Sequence, residues 1–122
     1  MARVIVAGSR TFSDFELLER KLNELLVNLK DVEIVSGGAR GADKLGELYA
    51  KKHGLPLKVF LPDWEMYPGR AGFIRNEEMA HYAAEAEVGC CVVFWDGASR
   101  GTAHMRQMAE AYKLKLRTII FG

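Results

Sequence analysis

The stretch Val35-Ser36-Gly37-Gly38-Ala39-Arg40-Gly41-Ala42-Asp43 runs from an apolar segment through a glycine-rich turn into an amphipathic one. Glycines let a backbone approach an anion closely, the N–H groups at a helix start point toward it, and an arginine adds a charge-assisted fork. The chemistry this suits is the holding of a phosphate. Two more turns carry the same ingredients, Gly8-Ser9-Arg10-Thr11 and Asp96-Gly97-Ala98-Ser99-Arg100-Gly101-Thr102. Each joins glycine, a small hydroxyl side chain and arginine, so the expected ligand contacts are Gly8, Ser9, Arg10, Ser36, Gly37, Gly38, Ala39, Arg40, Gly41, Gly97, Ser99, Arg100, Gly101 and Thr102.

Two carboxylates stand at these turns. Asp43, in the first turn of its helix, complements the helix dipole, or accepts from a ribose hydroxyl or the loop backbone. Asp96 is either a turn former before Gly97 or a holder of a sugar hydroxyl or a catalytic water. Arg75-Asn76 begins a later helix that would aim Arg75 toward the same place, and Trp64, in the loop before it, offers an aromatic face for a base. Named nucleotide motifs are absent: Gly37 to Gly41 lacks the G-x-G-x-x-G spacing, and Lys44 lacks the flanking residues of a P-loop. His53, His81 and His104 fall on separate helices without ligand spacing, so no metal or cofactor is expected. Adjacent Cys90 and Cys91 point to opposite faces of a strand and read as space-filling thiols.

The elements that must position these turns follow from hydrophobic period. Arg3–Ala7 is a short apolar strand stopping at Gly8. Ser13 and Glu16 form the spacing of a capping box, after which Phe15, Leu18, Leu22, Leu25, Leu26 and Leu29 recur at helical intervals. Asp31–Val35 is a second strand, and Ala42, Leu45, Leu48 and Tyr49 give the following helix one apolar face, ending at Gly54. Leu57–Phe60 is a third strand, marked as an edge by Lys58. Asp63–Gly72 has no period and reads as a long loop, a candidate lid. A helix over Phe73–Ala86 leads to Val88–Trp95, the most continuously apolar run, hence a strand covered on both faces. A last helix carries Met105, Met108, Ala109 and Tyr112, and Lys115–Phe121 is the fifth strand.

Strictly alternating strands and helices predict an α/β fold, a Rossmann-like three-layer sandwich whose five-stranded parallel sheet has the order 3-2-1-4-5 and helices on both faces. Residues 1–122 are expected to form a single ligand-binding domain. The switch point of that order lies between the first and fourth strands, where open α/β sheets bind ligands at the strand C-termini. The three arginine-bearing turns fall on that rim.

Apolar residues make up 49% of the chain, charged residues 27%, and the formal charge is +1. Such a balance gives no global field for nucleic acid or an anionic membrane. The N-terminus lacks the apolar run of a signal peptide and no run reaches a membrane span, so a cytoplasmic protein is expected. Met105 and Met108 fit a core or a homodimer (or higher homo-oligomer) interface equally well.

Gly8-Ser9-Arg10, Gly37-Gly38-Ala39-Arg40-Gly41-Ala42-Asp43, Arg75-Asn76 followed by Met79, and Ser99-Arg100-Gly101-Thr102 together resemble the SLOG superfamily (the Smf/DprA and LOG group), in particular its small single-domain YspA/YpsA-like branch. The resemblance implies a nucleotide or nucleotide-derived ligand, such as a nucleoside phosphate or an ADP-ribose-like compound, with the glycine turns on its phosphates. It implies as an alternative the LOG reaction, hydrolysis of the N-glycosidic bond of a nucleoside monophosphate. Against the LOG motif G-T-x-x-E, however, Gly101-Thr102-Ala103-His104-Met105 puts Met105 at the catalytic glutamate, and Asn76 replaces the lysine that follows the family arginine. Asp96 and Asp43 are the remaining candidates for a catalytic carboxylate, and the missing glutamate at Met105 favours a sensor or processing domain over a hydrolase. Single-stranded DNA binding, as in the DprA relatives, is implied by the superfamily alone and is opposed by the charge balance.

Overall fold

The computed structural model describes residues 1–122. Five strands, β1 (Ala2–Gly8), β2 (Val32–Ser36), β3 (Leu57–Val59), β4 (Val88–Trp95) and β5 (Lys115–Ile120), alternate with four helices, α1 (Phe15–Leu26), α2 (Ala42–Lys52), α3 (Ala71–Ala84) and α4 (Arg100–Ala111). All strand pairs are parallel, in the order β3-β2-β1-β4-β5. This is the Rossmann-like architecture and order expected from the alternation of elements. No helix is long and apolar enough to cross a membrane.

Alternation along each central strand supplies two cores. Val4, Val6, Ile34, Val92 and Phe94 face α1 and α2, where Leu18, Leu22, Tyr49 and Ala50 close on them. Ile5, Ala7, Val35, Cys91 and Val93 face α3 and α4, where Met79, Ala83, Met105 and Ala109 do the same. Cys90 packs against the first layer and Cys91 lies in the second, so the two thiols are divided by the sheet and remain free. Met105 is 1% exposed and Met108 packs against the same core. Met105 thus belongs to the chain's own interior, and Met108 is partly buried against it.

Local details differ from the sequence expectation where one residue's geometry decides. The N-cap of α1 is Asp14, whose carboxylate accepts from the Leu17 N–H at 3.0 Å, and not Ser13. A carboxylate there also faces the helix dipole, which a serine cannot match. Leu29 lies beyond α1, in the turn that follows it. Leu48 is 47% exposed, because α2 turns its Ala42, Gly46, Tyr49 and Ala50 inward. Residues 63–70 are folded into turns, with Asp63 accepting from the Met66 N–H at 3.1 Å and its carbonyl from the Tyr67 N–H. Helix α3 starts at Ala71, two residues earlier than the pattern suggests, since Ala71 packs inward while Phe73 stays exposed.

Gly46 sets how near α2 lies to the sheet: a Cβ built there would sit 2.8 Å from both Cβ and Cγ1 of Val6. Helix propensity alone favours Ala over Gly by up to about 1 kcal/mol. The overlap falls on a β-branched side chain fixed in the central strand, which has no rotamer to yield. Gly46→Ala is therefore expected to lower stability by roughly 1–2 kcal/mol, measured as a fall in the urea midpoint at unchanged m-value.

Candidate functional site

Parallel pairing brings the C-terminal ends of β1 and β4 level, with Gly8 opposite Phe94. Ser9 then ties together everything that leaves the sheet there. Its N–H donates to the Phe94 carbonyl at 2.9 Å, its hydroxyl accepts from the Asp96 N–H at 3.0 Å, and its carbonyl accepts from the N–H groups of Phe12 and Ala42. Ser9 is 1% exposed, so these bonds are made away from competing water. Gly41, in the left-handed region at φ 78°, lies so close over the Ser9 carbonyl that no Cβ would fit. The start of α2 is thereby pressed onto the turn after β1.

Helix α3 closes the opposite wall through its dipeptide Arg75-Asn76. The Arg75 guanidinium donates through Nη1 to the Gly37 carbonyl, and its Nε donates to Asn76 Oδ1 at 3.1 Å. Asn76, 5% exposed, donates through Nδ2 to the Gly101 carbonyl at 3.3 Å and lies 3.1 Å from His104 Nδ1. Two adjacent residues thus join the turn after β2 to the start of α4. Burial pushes the His104 imidazole below its ordinary value, which suits a neutral ring accepting at Nδ1.

The space enclosed is a crevice of about 380 Å³ at the strand C-termini. Gly8, Ser9, Arg10 and Thr11 form one side, Ala39 and Asp43 another, Arg75 and Asn76 a third, and Asp96, Ser99, Gly101 and Thr102 the fourth. Met79 and Met105 make an apolar floor. A second chamber of about 280 Å³ adjoins it, lined by Gly37, Gly38, Arg40, Pro62 and Trp64 and sharing Arg10, Ala39 and Arg75 with the first. Ser36, Gly41, Gly97 and Arg100 line neither. Ser36 is buried behind its turn, with its hydroxyl donating to Glu47 at 2.8 Å and accepting from the Gly38 N–H at 3.1 Å. Trp95 is likewise used by the protein itself: its indole donates to the Ser99 carbonyl and Arg106 lies over its ring.

The glycine-rich turn after β2 is a partly filled cradle. Its Gly38 N–H is held by Ser36, and its Ala39 N–H donates to Asp43 Oδ2 at 3.2 Å. In the turn after β4, Asp96 Oδ1 accepts from the Ala98 and Ser99 N–H groups, both at 2.8 Å. The chain's own side chains thus take part of the backbone donors in these two turns that a phosphate would use. N–H groups without a partner in the chain include those of Arg10 and Thr11 after β1, of Arg40 and Gly41 after β2, and of Gly97, Arg100 and Gly101 after β4; of these residues Arg10, Thr11 and Gly101 line the crevice. Gly37 serves another purpose, since a Cβ there would stand 2.8 Å from Asp43 Oδ2 and 2.9 Å from Arg75 Nη1.

The two carboxylates differ in state. Burial raises Asp43 from 3.8 to about 6, against the pull of the Ala39 N–H and Arg75, with Glu47 adding to the rise. Asp96 is exposed, and the Ala98 and Ser99 N–H groups hold it below its ordinary value. Burial lowers Arg75, opposed by Asp43 and assisted by Arg10. His, Cys, Asp and Glu side chains nowhere gather as a set that could hold a metal ion.

An acid whose folded pKa exceeds its unfolded one holds its proton more tightly in the native state. Its favourable contribution is complete below the unfolded value and is lost as pH rises through the folded one. For Asp43 that window runs from 3.8 to about 6. Relative to Asp43→Asn, the unsubstituted protein is expected to lose up to about 3 kcal/mol between pH 4 and pH 7. Urea unfolding of both proteins across that range measures the difference; a constant offset would contradict the buried-carboxylate assignment.

Comparison with known proteins bears on the family and the fold. The family model described as "YspA, cpYpsA-related SLOG family" matches residues 2–67, more than half of the chain. The Gene 61 protein of Mycobacterium phage D29 is 34% identical over 128 residues, covering 100% of this chain and 98% of the relative. Among solved structures, DNA processing protein A (DprA) from Streptococcus pneumoniae superposes with a TM-score of 0.67 at 16% identity, over 99% of this chain and 50% of its own. The chain therefore spans half the length of that DprA chain, and the likeness is one of fold. A predicted subunit of tRNA methyltransferase from Methanocaldococcus jannaschii gives a TM-score of 0.48 at 17% identity, over 100% of this chain and 72% of its own. With a family model over β1, the glycine turn and α2, and a relative matched from end to end, this chain belongs to the YspA, cpYpsA-related SLOG family.

Proposed function

We propose that the crevice binds a nucleotide or nucleotide-derived ligand, and that the chain acts as a sensor or processing domain for it. The observation that carries this reading is the division of polar groups around one apolar floor. Unpartnered N–H groups of Arg10, Thr11 and Gly101, with the hydroxyls of Ser99 and Thr102 and the Arg10 guanidinium, suit phosphate oxygens. Asp43 and Asp96 supply the acceptors that sugar hydroxyls require, and Met79 and Met105 offer a dry surface to a base. The phosphate contact in the crevice thus falls to the gap between the turn after β1 and the start of α4, because Ala39, which the turn after β2 presents there, already gives its N–H to Asp43.

Met105 also weighs on activity. It stands where the LOG resemblance would put a glutamate, it is 1% exposed, and a thioether neither accepts a proton nor stabilises a developing cation as a carboxylate does. One observation favours hydrolysis of an N-glycosidic bond as a second reading. Asp43, held near pH 6 by burial, and Asp96, held ionised by two N–H groups, form a pair of carboxyls whose environments push them apart. Such a pair is what an acid and an electrostatic partner need.

Titration calorimetry with AMP, ADP, NAD and ADP-ribose tests the binding reading. At least one is expected to bind, and Arg10→Ala, an exposed position, is expected to weaken it about tenfold or more. Absence of heat for the whole panel would overturn it. Release of free base from a nucleoside monophosphate, lost in Asp43→Asn, would move the assignment to hydrolysis; an intact ligand after prolonged incubation would leave it with recognition.

A further inference from the structure

The outer chamber differs chemically from the inner one. In the inner chamber two carboxylates, Asp43 and Asp96, balance Arg10 and Arg75. Around the outer chamber stand three guanidinium groups, of Arg10, Arg40 and Arg75, and no carboxylate lines it. Trp64 adds an aromatic surface to the same wall and is 53% exposed, an unusual state for a tryptophan unless it serves a ligand or a partner. Two of these features are built in. Arg75 is held by its bonds to the Gly37 carbonyl and to Asn76, which leaves Nη2 without a partner in the chain. Gly38, at φ 75°, brings its turn so close to Leu61 that a Cβ would lie 2.6 Å from Leu61 Cδ2, which joins the glycine turn to the segment carrying Pro62 and Trp64.

We infer that the outer chamber is a second subsite, for a second phosphate with a flat ring attached, and that the ligand is therefore bipartite: two halves joined through phosphates, of the dinucleotide or nucleoside-diphosphate-sugar class. This rests on the nucleotide reading of the inner chamber and extends it. A mononucleotide would fill the inner chamber, engage Arg10 there, and leave Arg40 and Trp64 facing solvent. A ligand with linked phosphates passes the shared boundary at Arg10, Ala39 and Arg75, where the two guanidinium groups can each reach a phosphate. Trp64 then stacks on the distal ring, with Arg40 at its side.

The test compares AMP with ADP-ribose, NAD and a diadenosine polyphosphate by calorimetry, on the full chain and on Arg40→Ala and Trp64→Ala. Both positions are exposed, so the variants are expected to fold, which circular dichroism verifies. At least one bipartite ligand is expected to bind about tenfold or more tightly than AMP, and each variant to remove most of that advantage while leaving AMP unchanged. In a Trp95→Phe background, the fluorescence of Trp64 is expected to change with a bipartite ligand and not with AMP. Equal affinities for AMP and the bipartite ligands, untouched by both variants, would overturn the second subsite and leave the mononucleotide reading standing. Failure of every compound to bind would overturn both.

Discussion

The buried hydrogen bonds of Ser9 are the constraint on which the site depends. One residue holds the end of β4 through the Phe94 carbonyl and the Asp96 N–H, and holds the start of α2 through Ala42. Parallel strands are never joined directly, so nothing in the covalent chain fixes the turn after β1 against the turn after β4, more than eighty residues away. The side chain and backbone of Ser9 do so, at the switch point where the neighbouring connections diverge to opposite faces. A buried polar group of this kind is costly to leave unpaired, so each bond it makes also enforces the others. The rim of the crevice consequently has one geometry rather than several.

A second constraint explains why the glycines sit where they do. Gly37 and Gly41 are sites of close approach, the first to the Asp43 and Arg75 side chains and the second to the Ser9 backbone. Their absent side chains make room for the protein's own groups. Asp43 and Asp96 then cap the turns from inside, taking N–H donors that would otherwise invite an anion. The price appears at Asp43, where burial outweighs its backbone partner and the nearby guanidinium. A carboxylate kept close to its protonation midpoint at the wall of a crevice is a feature tolerated at a functional site more readily than in an ordinary core.

Arg75 and Asn76 show how a short element of sequence can organise a site that it does not dominate. Arg75 reaches the turn after β2 and Asn76 reaches the start of α4, so α3 acts as a brace between two helix starts. His104 behind Asn76, with Phe73 against its ring at 4.4 Å between centroids, completes this brace. The sequence points to Arg75-Asn76 but carries no sign of the His104 contact. His104 stands alone in the chain without a spacing partner, and only the packing of α3 on α4 brings it to Asn76.

What the sequence alone determined is what depends on local period and steric class. Apolar runs set the strands, helical recurrence set α1 to α4, and Lys58 marked β3 as an edge; together with the alternation of elements these pointed to the parallel order and the rim on which the three turns lie. That rim also bounded the candidate residues, most of which line one chamber or the other. Tertiary structure decided the rest, because it depends on which donors are already taken. Ser36 and Arg100 carry the same residue types as Ser9 and Arg10, yet one is turned inward to Glu47 and the other lies outside both chambers. Capping chose Asp14 over Ser13, and the floor of Met79 and Met105 arose from ordinary core positions that happen to end beneath the crevice. Periodicity places a residue on a face of its element; whether its polar atoms remain available to a ligand is settled by neighbours distant in sequence, and no local pattern encodes that.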